Sequence, residues 1–248
     1  MPSPTANARD LVVLDGYLSA ARCDALLDAV AAYRAEHPLP LIERPGTPRA
    51  LRYRVIDGEQ VHAHLPALED LYREVLAIVR EHFGAAVVPL RHRVAGVNVN
   101  LVPPGGEYRW HYDRNAVTAL LYLNRVDGGE TEIYPGYRVS LGRWQASPLQ
   151  QRLDGVLQWG PVRRVFGRMR SIAPAVGRLV LMRGDRSLHA VRAVTGSDER
   201  INLVMTFDVP GARHLQERAL DPYLYAASTD TPDFDPNYTP KVPGTGGG

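Results

Sequence analysis

The sequence predicts a mainly β fold with flanking α-helices, in which N-terminal helices lie on one outer face of a two-sheet jelly roll. Helical periodicity is confined to residues 1–86. From residue 87 to 210 the chain breaks into short apolar runs separated by Gly, Pro, Asn and Asp, which is the punctuation of strands. A chain that places helices first and strands afterwards segregates its helices to one side of its sheets. The longest strand candidate also alternates. Arg200, Asn202, Val204 and Thr206 share one face, and Ile201, Leu203, Met205 and Phe207 share the other. The second set is wholly apolar and is expected to pack against the helices, which turns Arg200 and Asn202 inward.

In chain order, Leu11 to Leu14 reads as a short strand ending at an Asp15-Gly16 turn. Ser19 can cap a helix from about Ala20 to Glu36, with Leu26, Leu27, Val30 and Tyr33 at helical spacing. Pro38 and Pro40 end it. Leu51 to Ile56 is a strand followed by an Asp57-Gly58 turn. Leu65-Pro66 opens a second helix running to Phe83 and stopped by Gly84, with Leu68, Leu71, Val75, Ile78 and Val79 inward. Val97 to Asn100 alternates again, and a hairpin across Pro103 to Gly106 would bring Asn98 and Asn100 beside the strand that follows. Buried amides need partners, and a bound molecule is expected to supply them. Residues 1–219 form one domain: a helical support (1–86), a core (87–210) and an inserted segment (137–170). The tail, 220–248, is rich in Pro, Asp and Tyr, ends Gly-Thr-Gly-Gly-Gly, and is expected to be partly disordered.

Composition sets limits on function. A chain of 248 residues with a 45% hydrophobic share can form one large domain with its own core, which excludes wholesale disorder. A net charge of +2 carries no electrostatic footprint for nucleic acid. The single cysteine, Cys23, excludes an internal disulfide and fits a reducing compartment. No segment has the form of a secretory leader, and no apolar run reaches the roughly 18 residues of a membrane span. A cytoplasmic protein that engages neither membrane nor nucleic acid is expected.

The chemistry is concentrated in Trp110-His111-Tyr112-Asp113 and in Ser187-Leu188-His189. Alternation in an extended segment sends His111 and Asp113 to one side. With a histidine from a neighbouring strand they make the two-histidine, one-carboxylate face that holds non-haem Fe(II) with positions left open. The context sharpens the reading. An apolar run from Val117 to Asn124 follows the H-x-D, then comes Gly128-Gly-Glu-Thr131, and Arg200 stands eleven residues after His189.

At these residues, over roughly Val97 to Pro210, the chain resembles the iron(II)/2-oxoglutarate-dependent dioxygenases. His111-x-Asp113, Tyr122-Leu123-Asn124, Gly128 to Thr131, His189 and Arg200 match that pattern in order. The resemblance implies a double-stranded β-helix (a jelly roll, cupin-like) and the cofactors Fe(II) and 2-oxoglutarate, with O2 as co-substrate. It assigns the metal to His111, Asp113 and His189. It pairs Arg200 with the distal carboxylate of 2-oxoglutarate, where a guanidinium fork suits the geometry, and places Tyr122, Thr118, Asn202 and Asn98 around the same molecule. The family's prolyl hydroxylases often carry tyrosine where this chain has Leu101, which disfavours a peptidyl-proline substrate. The phrases around Trp110 to Asn115 and Gly184 to Val191 resemble a bacterial branch acting on free amino acids, both hydroxylases and halogenases. Halogenating members replace the carboxylate ligand by a small residue, so Asp113 disfavours halogenation.

The implied reaction is hydroxylation of an unactivated C–H bond in a small, amino-acid-like molecule. Desaturation, ring closure, or a carrier-bound or peptide substrate are the alternatives, with a non-enzymatic metal-binding jelly roll set against all of them. Asn100, Arg52, Arg54, Trp110 and Arg114 are the candidate substrate contacts, the two strand arginines for an α-carboxylate. The segment from Tyr137 to Arg170 carries seven arginines against one acid, Asp154. It is expected to be a lid that closes over substrate, with a basic docking face and a merely solvated surface as the other readings.

Overall fold

The computed structural model describes residues 10–44, 49–141, 148–210 and 224–225. Their elements run β1 (Leu11–Leu14), α1 (Ala20–Glu36), β2 (Ile42–Arg44), β3 (Leu51–Ile56), α2 (Gly58–His64), α3 (Pro66–Phe83), β4 (Val88–Pro89), α4 (Arg93–Gly96), β5 (Val97–Val102) and β6 (Tyr108–His111). They continue with β7 (Val117–Tyr122), β8 (Thr131–Tyr134), α5 (Pro148–Gln158), α6 (Gly160–Phe166), β9 (Arg170–Ile172), β10 (Leu179–Met182), β11 (Leu188–Val191) and β12 (Arg200–Asp208).

Two antiparallel sheets result. The larger runs β1-β10-β7-β12-β5-β3-β2, with β4 added beside β12; the smaller runs β6-β11-β8-β9. Alternation decides which face goes where. Val97, Val99 and Leu101 of β5, Ala119 and Leu121 of β7, and Leu203, Met205 and Phe207 of β12 all turn to the helical layer. That layer is α1, capped by Ser19 whose hydroxyl accepts from the Arg22 amide, and α3, which opens on Pro66. Cys23, Leu26, Val30 and Tyr33 of α1 and Leu68, Leu71, Val75 and Val79 of α3 are buried there, while Leu27 and Ile78 are only partly covered. The opposite parity faces the small sheet: Leu120, Tyr122, Val180 and Met182 meet Ile133 and Ile172. Fully burying each such side chain contributes roughly 1.5–3 kcal/mol.

One expectation changes. The Asp57-Gly58 turn is a helix start: Asp57 accepts from the Gln60 amide at 3.0 Å and begins α2, because an aspartate before a free amide is a good cap. The two N-terminal strands form where expected, β1 pairing with β10 and β3 with β5 in the large sheet. The inserted segment forms two helices among its described residues. Its α5 and α6 lie on the outer face of the small sheet, where Tyr137 donates to the Leu157 carbonyl at 3.2 Å and the Arg163 guanidinium stands 4.2 Å from the Trp110 ring centre. Trp110 faces the insertion from that outer side with Tyr112, Tyr134, Leu188 and Ala190. Arg143 and Trp144 of the insertion lie outside the described residues, as does the tail expectation apart from Leu224 and Tyr225. Those two rest against Ile42, Leu51 and Tyr53, and the Tyr53 hydroxyl donates to the Leu224 carbonyl at 2.5 Å.

Candidate metal centre and co-substrate pocket

The small sheet brings the two histidines together by register. His111, the last residue of β6, stands directly opposite His189 on β11, and the register shifts beyond them towards Val191 and Tyr108. A shift of this kind twists a strand and re-aims its side chains. The two rings lie with centres 4.0 Å apart. His111 Nδ1 sits 2.9 Å from the carbonyl of Arg109, and His189 Nδ1 2.9 Å from that of Ser187. A carbonyl only accepts, so each Nδ1 carries the proton and each Nε2 keeps its lone pair. Both Nε2 atoms point at Asp113 Oδ1, each at 3.5 Å. One donor atom from each of the three residues lies within 4.8 Å of the others.

Asp113 is held in place by its own surroundings. Its amide donates to the Gly184 carbonyl at 3.0 Å. Its Oδ2 accepts from the Thr118 hydroxyl at 2.5 Å, and that hydroxyl accepts from Asn115 Nδ2 at 2.8 Å. Asn115 also donates to the Val117 carbonyl at 2.7 Å. A Cβ on Gly184 would stand 2.6 Å from the Thr118 hydroxyl and 2.7 Å from Asp113 Oδ2, so the turn before β11 needs glycine to admit the carboxylate. Burial alone would raise the Asp113 carboxyl, but the imidazoles, His189 foremost, reverse this and hold it well below its usual range. Burial lowers His111, and the charge of His189 lowers it further. Burial also works against protonated His189, yet Asp113 outweighs it and raises that imidazole.

The donor set fits a divalent cation. Adjacent donors on an octahedral ion with bonds of about 2.1 Å stand about 3 Å apart, close to the spacing seen. A metal ion would supply positive charge to the half-buried carboxylate while engaging both Nε2 lone pairs. The three donors come from one side, which leaves the opposite side for other ligands.

The co-substrate expectations centre on the large sheet. Arg200 is buried and inward at the start of β12, as its parity required. Its NH1 donates to Asn202 Oδ1 at 2.5 Å and its NH2 to Thr131 Oγ1 at 3.0 Å, while its Nε is buried without a partner. Its guanidinium carbon lies 5.0 Å from the Tyr122 ring centre, and the Tyr122 hydroxyl is 2.6 Å from Thr131 Oγ1. Among the described residues no carboxylate pairs with Arg200. Gly129, at φ +65°, leaves room for the arginine, because a Cβ there would meet Arg200 Cδ at 2.9 Å. Asn202 stands between Asn100 and Tyr122 across the sheet, and Asn100 Nδ2 donates to Asn98 Oδ1 at 3.1 Å. Thr118 is inward as expected, but its hydroxyl is engaged by Asp113.

Several sequence-predicted substrate contacts lie elsewhere. Arg52 and Arg54 share the parity of Ile56, which is buried under the helices, so both point away from the interior. Arg54 pairs with Glu199 at 2.8 Å, and Arg52 pairs with Glu43 at 2.8 Å. Trp110 is on the outer face, with Arg163 4.2 Å and Arg49 5.2 Å from its ring centre. Arg114, half-buried, directly follows Asp113. Sequence reasoning passed over Thr131, Asn115 and Tyr108. The first two lie inside phrases already marked by the Gly-Gly-Glu-Thr turn and the H-x-D. Tyr108, whose ring centre is 4.6 Å from that of His111, carried no signal except its place on the same strand.

The sequence model of the 2OG-Fe(II) oxygenase superfamily matches residues 97–207, the span that holds all three donors and Arg200. Within that span the chain carries a 2OG-Fe(II) oxygenase domain. It is a 2-oxoglutarate-dependent non-haem iron oxygenase, with Fe(II) and 2-oxoglutarate as cofactors and O2 as co-substrate. Comparison with curated protein sequences gives no match. Among solved structures, this oxygenase is similar to the non-haem α-ketoglutarate-dependent carbocyclase SnoK from nogalamycin biosynthesis, at 16% identity and a TM-score of 0.59 over 81% of this chain and 79% of that one. It is also similar to a Pseudomonas putida prolyl-4-hydroxylase, at 22% identity and a TM-score of 0.52 over 82% and 94%. A third is the epimerase SnoN in complex with Fe3+, α-ketoglutarate and nogalamycin RO, at 15% identity and a TM-score of 0.57 over 84% and 90%. These likenesses show the jelly-roll fold. No helix among the described residues is long and apolar enough to cross a membrane.

Proposed function

We propose that this oxygenase hydroxylates an unactivated C–H bond of a small, amino-acid-like molecule in specialised metabolism. The observation that carries the reading is the buried Arg200, held by neutral oxygens and lacking a carboxylate of its own on the same interior as the three metal donors. A buried cation of this kind needs an anion, and the distal carboxylate of 2-oxoglutarate supplies one. A metal-binding barrel without a dicarboxylate co-substrate would have no use for it.

His111, Asp113 and His189 would hold the iron, and Arg200 with Thr131 and Tyr122 would fix the far end of 2-oxoglutarate. When bound, the iron couples oxidative decarboxylation of 2-oxoglutarate to oxidation of a C–H bond, with succinate, CO2 and the hydroxylated product balancing 2-oxoglutarate, O2 and substrate. The chain's own part is to orient and to exclude water. Asp113 supports an oxygen outcome, because its carboxylate fills the position a halide would need. Asn98 and Asn100 offer amides on the inward face for the polar end of a substrate. Arg52 and Arg54, engaged outside by Glu43 and Glu199, do not supply the cation for a substrate carboxylate.

Purified protein with Fe(II), 2-oxoglutarate and a panel of free amino acids and their oxidised derivatives should form succinate in step with a product one oxygen heavier. His111→Ala should lose metal binding and turnover together. A halogenated product in chloride or bromide buffer would overturn the reading, and so would full iron stoichiometry and activity in the variant.

A further inference from the structure

Every exposed large hydrophobic side chain among the described residues falls between Val139 and Val176, in and around α5 and α6. The rest of the surface is ordinary. Helix α5 is inverted relative to a normal surface helix, which buries its apolar stripe. Its buried residues are Gln150 and Asp154. Gln150 donates to the Val139 carbonyl at 2.9 Å, and Asp154 takes both guanidinium nitrogens of Arg138. Leu149 and Val156 point outward instead, followed by Trp159 at 64% exposure and by Val165 and Phe166 at 75% and 76% on α6. A contiguous apolar face of this kind marks an interaction site.

Charge selects the partner. The only acid between Tyr137 and Arg170 is Asp154, and it is bound by Arg138. Among the described residues no carboxylate pairs with Arg152, Arg164, Arg168 or Arg170. A second copy across a two-fold axis would set these arginines against themselves. A membrane surface calls for an apolar face set apart from the basic one, yet Arg152 lies between Leu149 and Val156 on the same exposed side of an eleven-residue helix. Trp, Phe and Met interleaved with Arg is the composition of a protein-binding core.

We propose that the outer face of α5 and α6 docks an acidic protein surface with an apolar centre. The face is linked from behind to the segments that carry the metal donors. Arg138 donates to the Asp185 carbonyl at 3.2 Å and lies over Tyr112, so it touches the loops that carry Asp113 and lead to His189. A docked partner therefore lies on the outer side of the small sheet and leaves the interior free for cofactor.

The test uses the full chain and two synthetic amphipathic helices, one with a Leu/Phe stripe flanked by glutamate and its lysine counterpart. The glutamate peptide should bind, more weakly as salt rises, and the lysine peptide should not. Trp159→Ala/Phe166→Ala and Arg164→Glu/Arg168→Glu should each weaken binding about tenfold or more, with 2-oxoglutarate turnover unchanged. Equal binding of both peptides, or binding indifferent to both variants, would overturn the proposal. So would light scattering that shows self-association through this face, or phosphatidylglycerol vesicles that bind as tightly as the peptide.

Discussion

Thr118 shows how one hydroxyl can govern a metal ligand without touching the metal. It donates to Asp113 Oδ2 and leaves Oδ1 facing the two imidazoles. Thr118→Val keeps the shape and removes the donor, so iron affinity should fall on the order of 10–100-fold, as read by competition with a chelator. Thr118→Ser should restore most of it, which a purely structural role would not require. Arg200→Ala should raise the 2-oxoglutarate requirement at least tenfold, about 1.5–3 kcal/mol for a charge-assisted pair, with iron affinity unchanged; titration of each ligand separately checks it. Strand parity alone turned Arg200 inward in the sequence, but the sequence reading gave Thr118 to 2-oxoglutarate and missed its bond to Asp113. Arg52 and Arg54 were not legible. Parity tells which residues share a face but not which face is inward, and β3 is apolar on both sides: Leu51, Tyr53 and Val55 on one, Ile56 on the other. Trp110 was legible against its assignment, since a residue next to His111 in a strand must point the other way.

At the scale of elements, the turn between β10 and β11 does more than connect strands. Gly184 receives the Asp113 amide and leaves space where a side chain would strike the carboxylate and Thr118. Gly184→Ala should displace Asp113 and weaken metal binding severalfold at least, while thermal unfolding in chelator stays close to wild type. Loss of stability with iron affinity intact would show that the glycine serves only the fold. The main helices were readable from caps and periodicity, α1 over Ala20–Glu36 and α3 over Pro66–Phe83. The inserted pair α5 and α6 was not, because its fully buried residues are polar and Leu149, Val156, Val165 and Phe166 are exposed. A pattern rule that sends apolar residues inward has nothing to hold there. Pairing order was equally hidden: β12 lies between β5 and β7, strands far away in sequence, and only long-range register decides that.

Across the whole molecule, the cofactors would join two sheets that otherwise meet through side-chain packing and the hydrogen bonds of Thr131 to Arg200 and Tyr122. The histidines belong to the small sheet, and Arg200 belongs to the large one. Metal and 2-oxoglutarate together would brace one against the other. At ligand one hundred times its dissociation constant, binding adds about 2.7 kcal/mol to stability, which for a domain of this size corresponds to a rise of several degrees in Tm. Mn(II) alone should give part of that rise, and 2-oxoglutarate should add to it. In Arg200→Ala the metal contribution should remain and the 2-oxoglutarate contribution should disappear; a full response in the variant would place the dicarboxylate elsewhere.

The hydrogen bonds behind the three donors are of two kinds, and this has a consequence for how such a site can change. Each histidine is steadied by a carbonyl two residues earlier in its own chain segment, Arg109 for His111 and Ser187 for His189. The aspartate is steadied by the side chains of Thr118 and Asn115. Codon changes rewrite side chains and leave carbonyls where they are. Mutation can therefore reach the carboxylate corner of the site in single steps, whereas the imidazole corners yield only to a redrawing of the strands themselves.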